Sequence, residues 1–93
     1  MTIKKTAKIK LEGLLSIKNI DTLKEKLDEG LAQKKDIVFD AAKLERIDTA
    51  CLQLIAAFTK KQHENSYSVA WSKPSDEIIE IAKLLDFKEA VAL

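Results

Sequence analysis

Ile37-Val38-Phe39-Asp40, followed by Arg46-Ile47-Asp48-Thr49-Ala50-Cys51-Leu52-Gln53-Leu54, is the part of the sequence that decides the fold. Three apolar residues held between Asp36 and Asp40 are too few for a helix and suit a short strand buried on both faces, hence central in a sheet. Residues 43–46 (Lys43, Leu44, Glu45 and Arg46) read as a loop. A helix then opens at Asp48-Thr49 and runs to about Glu64. Cys51, Ile55 and Phe58 share one side of it, while Leu52, Leu54, Ala56 and Ala57 widen the stripe, which predicts the most buried helix of the chain.

Upstream, residues 6–11 alternate small or apolar with charged side chains, the period of a strand with one buried face. The lysines at Lys4, Lys5, Lys8 and Lys10 alternate with Ala7, Ile9 and Leu11, so they read as the wet face of that strand rather than as an anion-binding patch. Gly13 permits a turn, after which Leu14, Leu15 and Ile17 suggest a second short strand. Ile20, Leu23, Leu27 and Leu31 then form a helical stripe opposite Lys24, Glu25, Lys26, Asp28 and Glu29, with Asn19 or Asp21 available as N-cap. Downstream, Asn65 and Ser66 break the long helix, and Tyr67, Val69 and Trp71 alternate as a strand. Pro74 and Ser75 open a third helix with Ile78, Ile81, Ala82 and Leu85 facing inward. Asp86-Phe87 closes it, and residues 90–93 read as a final edge strand. Strand-helix-strand steps require parallel crossovers, so the class is α/β.

Ninety-three residues are enough for one domain, 1–93, because a chain this short buries only about 60 to 65% of its unfolded surface and cannot divide that core. Apolar residues at 46% and charged residues at 33% describe a chain that folds rather than one that stays disordered. Sixteen basic against fifteen acidic side chains leave a formal charge of +1, which supplies no field to attract nucleic acid or an anionic membrane. One cysteine excludes an internal disulfide, and no apolar run reaches the roughly 20 residues of a membrane span or resembles a signal peptide. The expected location is the cytoplasm, with no direct membrane insertion.

The supply of catalytic groups is thin. His63, the only histidine, lies at the polar end of the long helix and reads as a solvated surface residue; with one histidine and one cysteine, a zinc site lacks its usual ligands. Neither Gly13 nor Gly30 belongs to a phosphate-cradling loop, so no cofactor or metal is expected. Cys51, in the first turn of a helix, is either a thiol activated by the local N–H groups or a small buried hydrophobe. Asp48 or Thr49 can cap that helix by accepting a hydrogen bond from a free N–H. The same helix start is a place where a partner, or a phosphate carried on a hydroxyl, can meet exposed N–H groups.

At this segment the sequence resembles the STAS family, whose signature is a central strand, an acidic-hydroxyl doublet, a small residue and a leucine-rich helix. Here that run is residues 37–40 followed by Ile47-Asp48-Thr49-Ala50-Cys51-Leu52-Gln53-Leu54, with Glu12-Gly13, residues 75–85 and Asp86-Phe87 at the family's first turn, last helix and closing segment. The resemblance implies a mixed sheet of four to five strands with about three packed helices. It also implies a non-enzymatic regulatory domain of the anti-sigma-factor-antagonist type, found in bacteria, that binds a protein partner through Arg46, Asp48, Thr49, Ala50 and Cys51. In that branch a serine is phosphorylated by a switch kinase, but its position is occupied here by Ala50, which leaves Thr49 as the hydroxyl available for phosphorylation. The Asp48-Thr49-Ala50 run, Leu52-Gln53-Leu54 and Val69-Ala70-Trp71 are similar to stand-alone STAS proteins of chemotaxis-type signalling. The alternative is the small STAS subunit of a lipid-asymmetry ABC transporter, which binds the ATPase; that branch usually places glycines after the threonine, where this chain has Ala50 and Cys51. A reading of another class, a small-ligand or nucleotide sensor, would need an apolar pocket with converging polar groups.

Overall fold

A computed structural model describes residues 6–93. Strand β1 (Thr6–Leu15) passes through a 3-10 turn (Ile17–Asn19) into α1 (Ile20–Gln33), followed by β2 (Asp36–Ile47), α2 (Thr49–Glu64), β3 (Val69–Ser72) and α3 (Asp76–Leu84). The three strands form one sheet in the order β1-β2-β3, and both pairings are parallel. Ile37 and Phe39 therefore sit in the middle strand, as their continuous apolar run predicts. Ile9 pairs with Phe39, which pairs with Trp71, so the residues of one sheet face align across all three strands. Lys8 and Lys10 are exposed, as the wet face of β1 requires; Lys4 and Lys5 lie outside the described residues.

One core joins the covered sheet face to the helices. Ile9, Leu11, Ile37, Phe39 and Val69 of the sheet meet Leu23 and Leu27 of α1, Leu52, Ile55 and Phe58 of α2, and Ile78 and Ala82 of α3. Phe39 is fully buried, with its ring edge-on to Phe58 at 5.6 Å and tilted against Trp71 at 5.0 Å. Gly30 lets α1 come down close to this layer: a Cβ there would lie 3.0 Å from Ile9 Cδ1 and 3.5 Å from the Phe58 ring. The long helix is the one with the most buried positions, as expected, although Ala57 is exposed. Its two buried polar residues are satisfied: Thr59 Oγ1 donates to the Ile55 carbonyl and Gln62 Nε2 to that of Lys35.

The sheet differs from the four to five mixed strands expected. Gly13 makes no reversing turn; at φ +64 it kinks a single strand, and Leu14 and Leu15 continue β1 instead of starting a second one. Residues 43–46 are not a loop either, because β2 carries on to Ile47. Pairing steps from Lys10↔Asp40 to Glu12↔Lys43, and from Gly13↔Leu44 to Leu14↔Arg46, so β2 carries an extra residue at each shift. Such bulges break the two-residue alternation: Ala41, Leu44 and Ile47 are buried three apart, a pattern that no period-2 search finds. Residues 90–93 add no strand. Their N–H groups are used locally, Val91 donating to Phe87 O, Ala92 to Glu89 O and Leu93 to Lys88 O. Val91 is nevertheless buried, and its carbonyl accepts from Trp71 Nε1 at 2.6 Å. At the end of α3, Leu85 is exposed instead of facing inward.

Candidate functional site: the start of helix α2

β2 delivers Arg46 and Ile47 to the C-terminal end of the sheet, and the chain turns into α2 at Asp48, which is extended at φ −94, ψ 174. The first N–H groups of an α-helix have no intrahelical partner, and a cap satisfies one of them. Asp48 Oδ1 accepts from the Cys51 N–H at 3.0 Å, so Asp48 is the cap and Thr49 is the first helical residue. Asp48 Oδ2 accepts from the Ile17 N–H at 2.8 Å, and the Asp48 N–H donates to the Leu15 carbonyl at 3.0 Å. One residue thus fastens the end of β1 to the start of α2. The Cys51 N–H, and after it the Ile17 N–H, hold the Asp48 carboxyl below its ordinary pKa, against the opposing pull of burial.

The five expected site residues divide by exposure. Arg46 and Thr49 are exposed, Asp48 and Ala50 half-buried, and Cys51 is fully buried. The Cys51 side chain therefore has no place on a contact surface, and of its two readings the structure favours the buried hydrophobe. Burial first, then the hydrogen bond and the charge of Asp48, push its thiol up to about 12, the opposite of what a reactive thiolate needs. The thiol supports the first turn of α2 from beneath.

Two residues of this surface were not anticipated. Leu14 is 57% and Ile17 68% exposed, large apolar side chains left in water. Leu14 pairs with Arg46 across the β1–β2 ladder, and Ile17 is bound through its N–H to Asp48, the residue that precedes Thr49. Nothing local in the sequence reveals this, because the link spans 31 residues. His63 is exposed as expected and lines a cleft of about 620 Å³ with Lys60 and Glu89. Among the described residues no group of three or more His, Cys, Asp or Glu could hold a metal ion, and no helix is long and apolar enough to cross a membrane.

No curated protein sequence matches the chain. Among the solved structures that share its fold are the following two. The structure of the anti-sigma factor antagonist SpoIIAA in its unphosphorylated form aligns with a TM-score of 0.69 at 16% identity, covering 90% of this chain and 78% of that one. The crystal structure of Mglu aligns with a TM-score of 0.64 at 18% identity over 76% of this chain, which spans only 18% of the Mglu chain. A family model described as "Mlab, STAS domain" matches residues 3–93, and with that span of its 93 residues the chain belongs to the STAS domain family.

Proposed function

We propose that this STAS domain is a non-enzymatic adaptor in bacterial regulation that binds a protein partner through the start of α2, with Arg46, Thr49 and the exposed edge of Asp48 and Ala50 as its contact residues. The observation that carries this reading is the surface made by the Asp48 tie. Exposed Leu14 pairs with Arg46, and exposed Ile17 is bound to Asp48 next to Thr49 in the chain, a mix of apolar area and directional polar groups that suits a protein rather than a small molecule. The fold shared with an anti-sigma factor antagonist, by its name a protein that opposes another regulator, supports a regulatory role. A small-ligand sensor would need a cavity at this place, and clefts of about 620, 270 and 260 Å³ on the described surface are lined by other residues. Thr49 is the position where a phosphate would act: nearly two negative charges at a surface that a partner must desolvate would oppose binding more than folding.

The test is capture of partners on immobilised full-length chain, comparing wild type with Thr49→Glu and Arg46→Glu. Both substitutions fall on exposed side chains, and both are expected to lower partner affinity at least roughly a hundredfold while leaving the melting curve in place. Recovery of a switch kinase or chemotaxis-type signalling protein supports the signalling branch, and recovery of an ABC transporter ATPase selects the transport branch. Undiminished affinity in both variants would show that the partner uses another face.

A further inference from the structure

Among the described residues no strand pairs with the outer side of β1, the first strand in sheet order. An edge strand of ten residues is a ready template for another chain, because its outward N–H and C=O groups lack ladder partners. Two carbonyls of β1 are met by side chains instead. Lys26 Nζ donates to the Lys10 carbonyl at 3.0 Å, and Asn19 Nδ2 donates to that of Leu14 at 2.7 Å. Asn19 and Lys26 stand two helical turns apart on the side of α1 that faces β1, at the rim of a cleft of about 270 Å³ floored by Leu11, Leu15 and Leu23.

The uncovered strand would be self-complementary. In an antiparallel pairing of two copies centred on Leu11, Lys10 of each copy stands opposite Glu12 of the other, so opposite charges meet twice. The extra residues of both register shifts lie in β2, and β1 is regular on the N-terminal side of its kink at Gly13, so the stretch from Lys10 to Glu12 is free to pair. A centre at Lys10 would instead set two lysines against each other.

We infer that Lys26 is a cover on the free edge of β1, and that by occupying the Lys10 carbonyl it keeps a second copy of this chain from pairing there. The cover is a flexible exposed side chain, so the fold does not depend on it. Lys26 itself takes no part in the partner surface proposed at the start of α2, although Leu14 belongs to both that surface and the edge strand.

Sedimentation velocity of the full chain at stepped micromolar to millimolar concentrations tests this. Wild type stays monomeric across the range. Lys26→Ala and Lys26→Gln dimerise, at concentrations roughly tenfold or more below any dimerisation of wild type. Lys26→Arg behaves as wild type because a guanidinium can still donate to the carbonyl. Lys24→Ala removes the same charge from the same helix and stays monomeric. Adding Glu12→Lys to Lys26→Ala abolishes the new dimer by opposing like charges. The inference is overturned if the Lys26 variants, folded by circular dichroism, sediment as wild type does. It is equally overturned if wild type pairs as readily as they do, if Lys24→Ala associates to the same extent, or if Glu12→Lys leaves the dimer intact.

Discussion

Asp48 and Ser75 do the same local work. Each stands in extended backbone just before a helix, and each accepts from the N–H three residues on, Cys51 at 3.0 Å and Ile78 at 3.2 Å. The Ser75 cap serves its own helix. Asp48 has a second carboxylate oxygen, and that oxygen reaches Ile17, just past the end of β1. A cap residue in a sequence thus marks a helix start without saying whether the start is tied to the rest of the molecule, and here the second acceptor oxygen of a carboxylate makes one side chain both cap and tie. The surface proposed for partner binding is built at the tied start.

This contrast can be broken by substitution. Asp48→Ala should cost about 2 kcal/mol in urea denaturation, since it removes the acceptor of two N–H groups, whereas Ser75→Ala should cost about 1 kcal/mol. Asp48→Ser, which keeps the cap and loses the tie, should fall between them. Equal losses at the two caps would mean that the Ile17 bond adds nothing.

The two caps should also part with pH. The Asp48 pKa is lowered by folding, so its contribution is present above the unfolded carboxylate value, about pH 4, and is lost as pH falls through the folded one. The stability gap between wild type and Asp48→Asn should therefore narrow on acidification, and the gap to Ser75→Ala should not. Cys51 gives the opposite limb. Its thiol, raised to about 12, stays neutral in the fold while the unfolded thiol ionises above about pH 9, so stability should decline from there upward. A urea midpoint that holds steady through that alkaline range would contradict the buried thiol.

The smallest effect belongs to Thr49. With the cap assigned to Asp48, Thr49→Ala should change stability by no more than about 0.5 kcal/mol yet weaken partner binding. A loss of cap size measured by thermal melts would return the capping role to the threonine.

The sequence was legible wherever an element announces itself by local chemistry. The helices over residues 20–33 and 49–64, the central run at Ile37 and Phe39, and the break at Asn65 all follow from periodicity and capping. What it concealed was set by pairing at a distance. Bulges hid the second half of β2, whose buried Leu44 and Ile47 fall three apart and not two, and Gly13 looked like a turn because a positive φ serves a kinked strand as well as a reversal. Apolar residues 90–93 suggest an edge strand, yet Val91 enters the core from a run of turns. At the candidate site, Asp48 and Thr49 could be named, but which of them capped, and that Leu14 and Ile17 stood beside them, depended on a 31-residue contact.

Trp71 is the chain's one tryptophan, and its indole N–H is held by the Val91 carbonyl while its ring lies against Phe39. Intrinsic fluorescence therefore reads the closure of the C-terminal segment over β3, at the sheet edge opposite β1. The chain carries its own optical reporter for one side of the sheet and none for the other. A perturbation at Asp48 that shifts the emission of Trp71 has travelled through the sheet, whereas one that leaves it dark to fluorescence but changes partner binding has stayed at the start of α2.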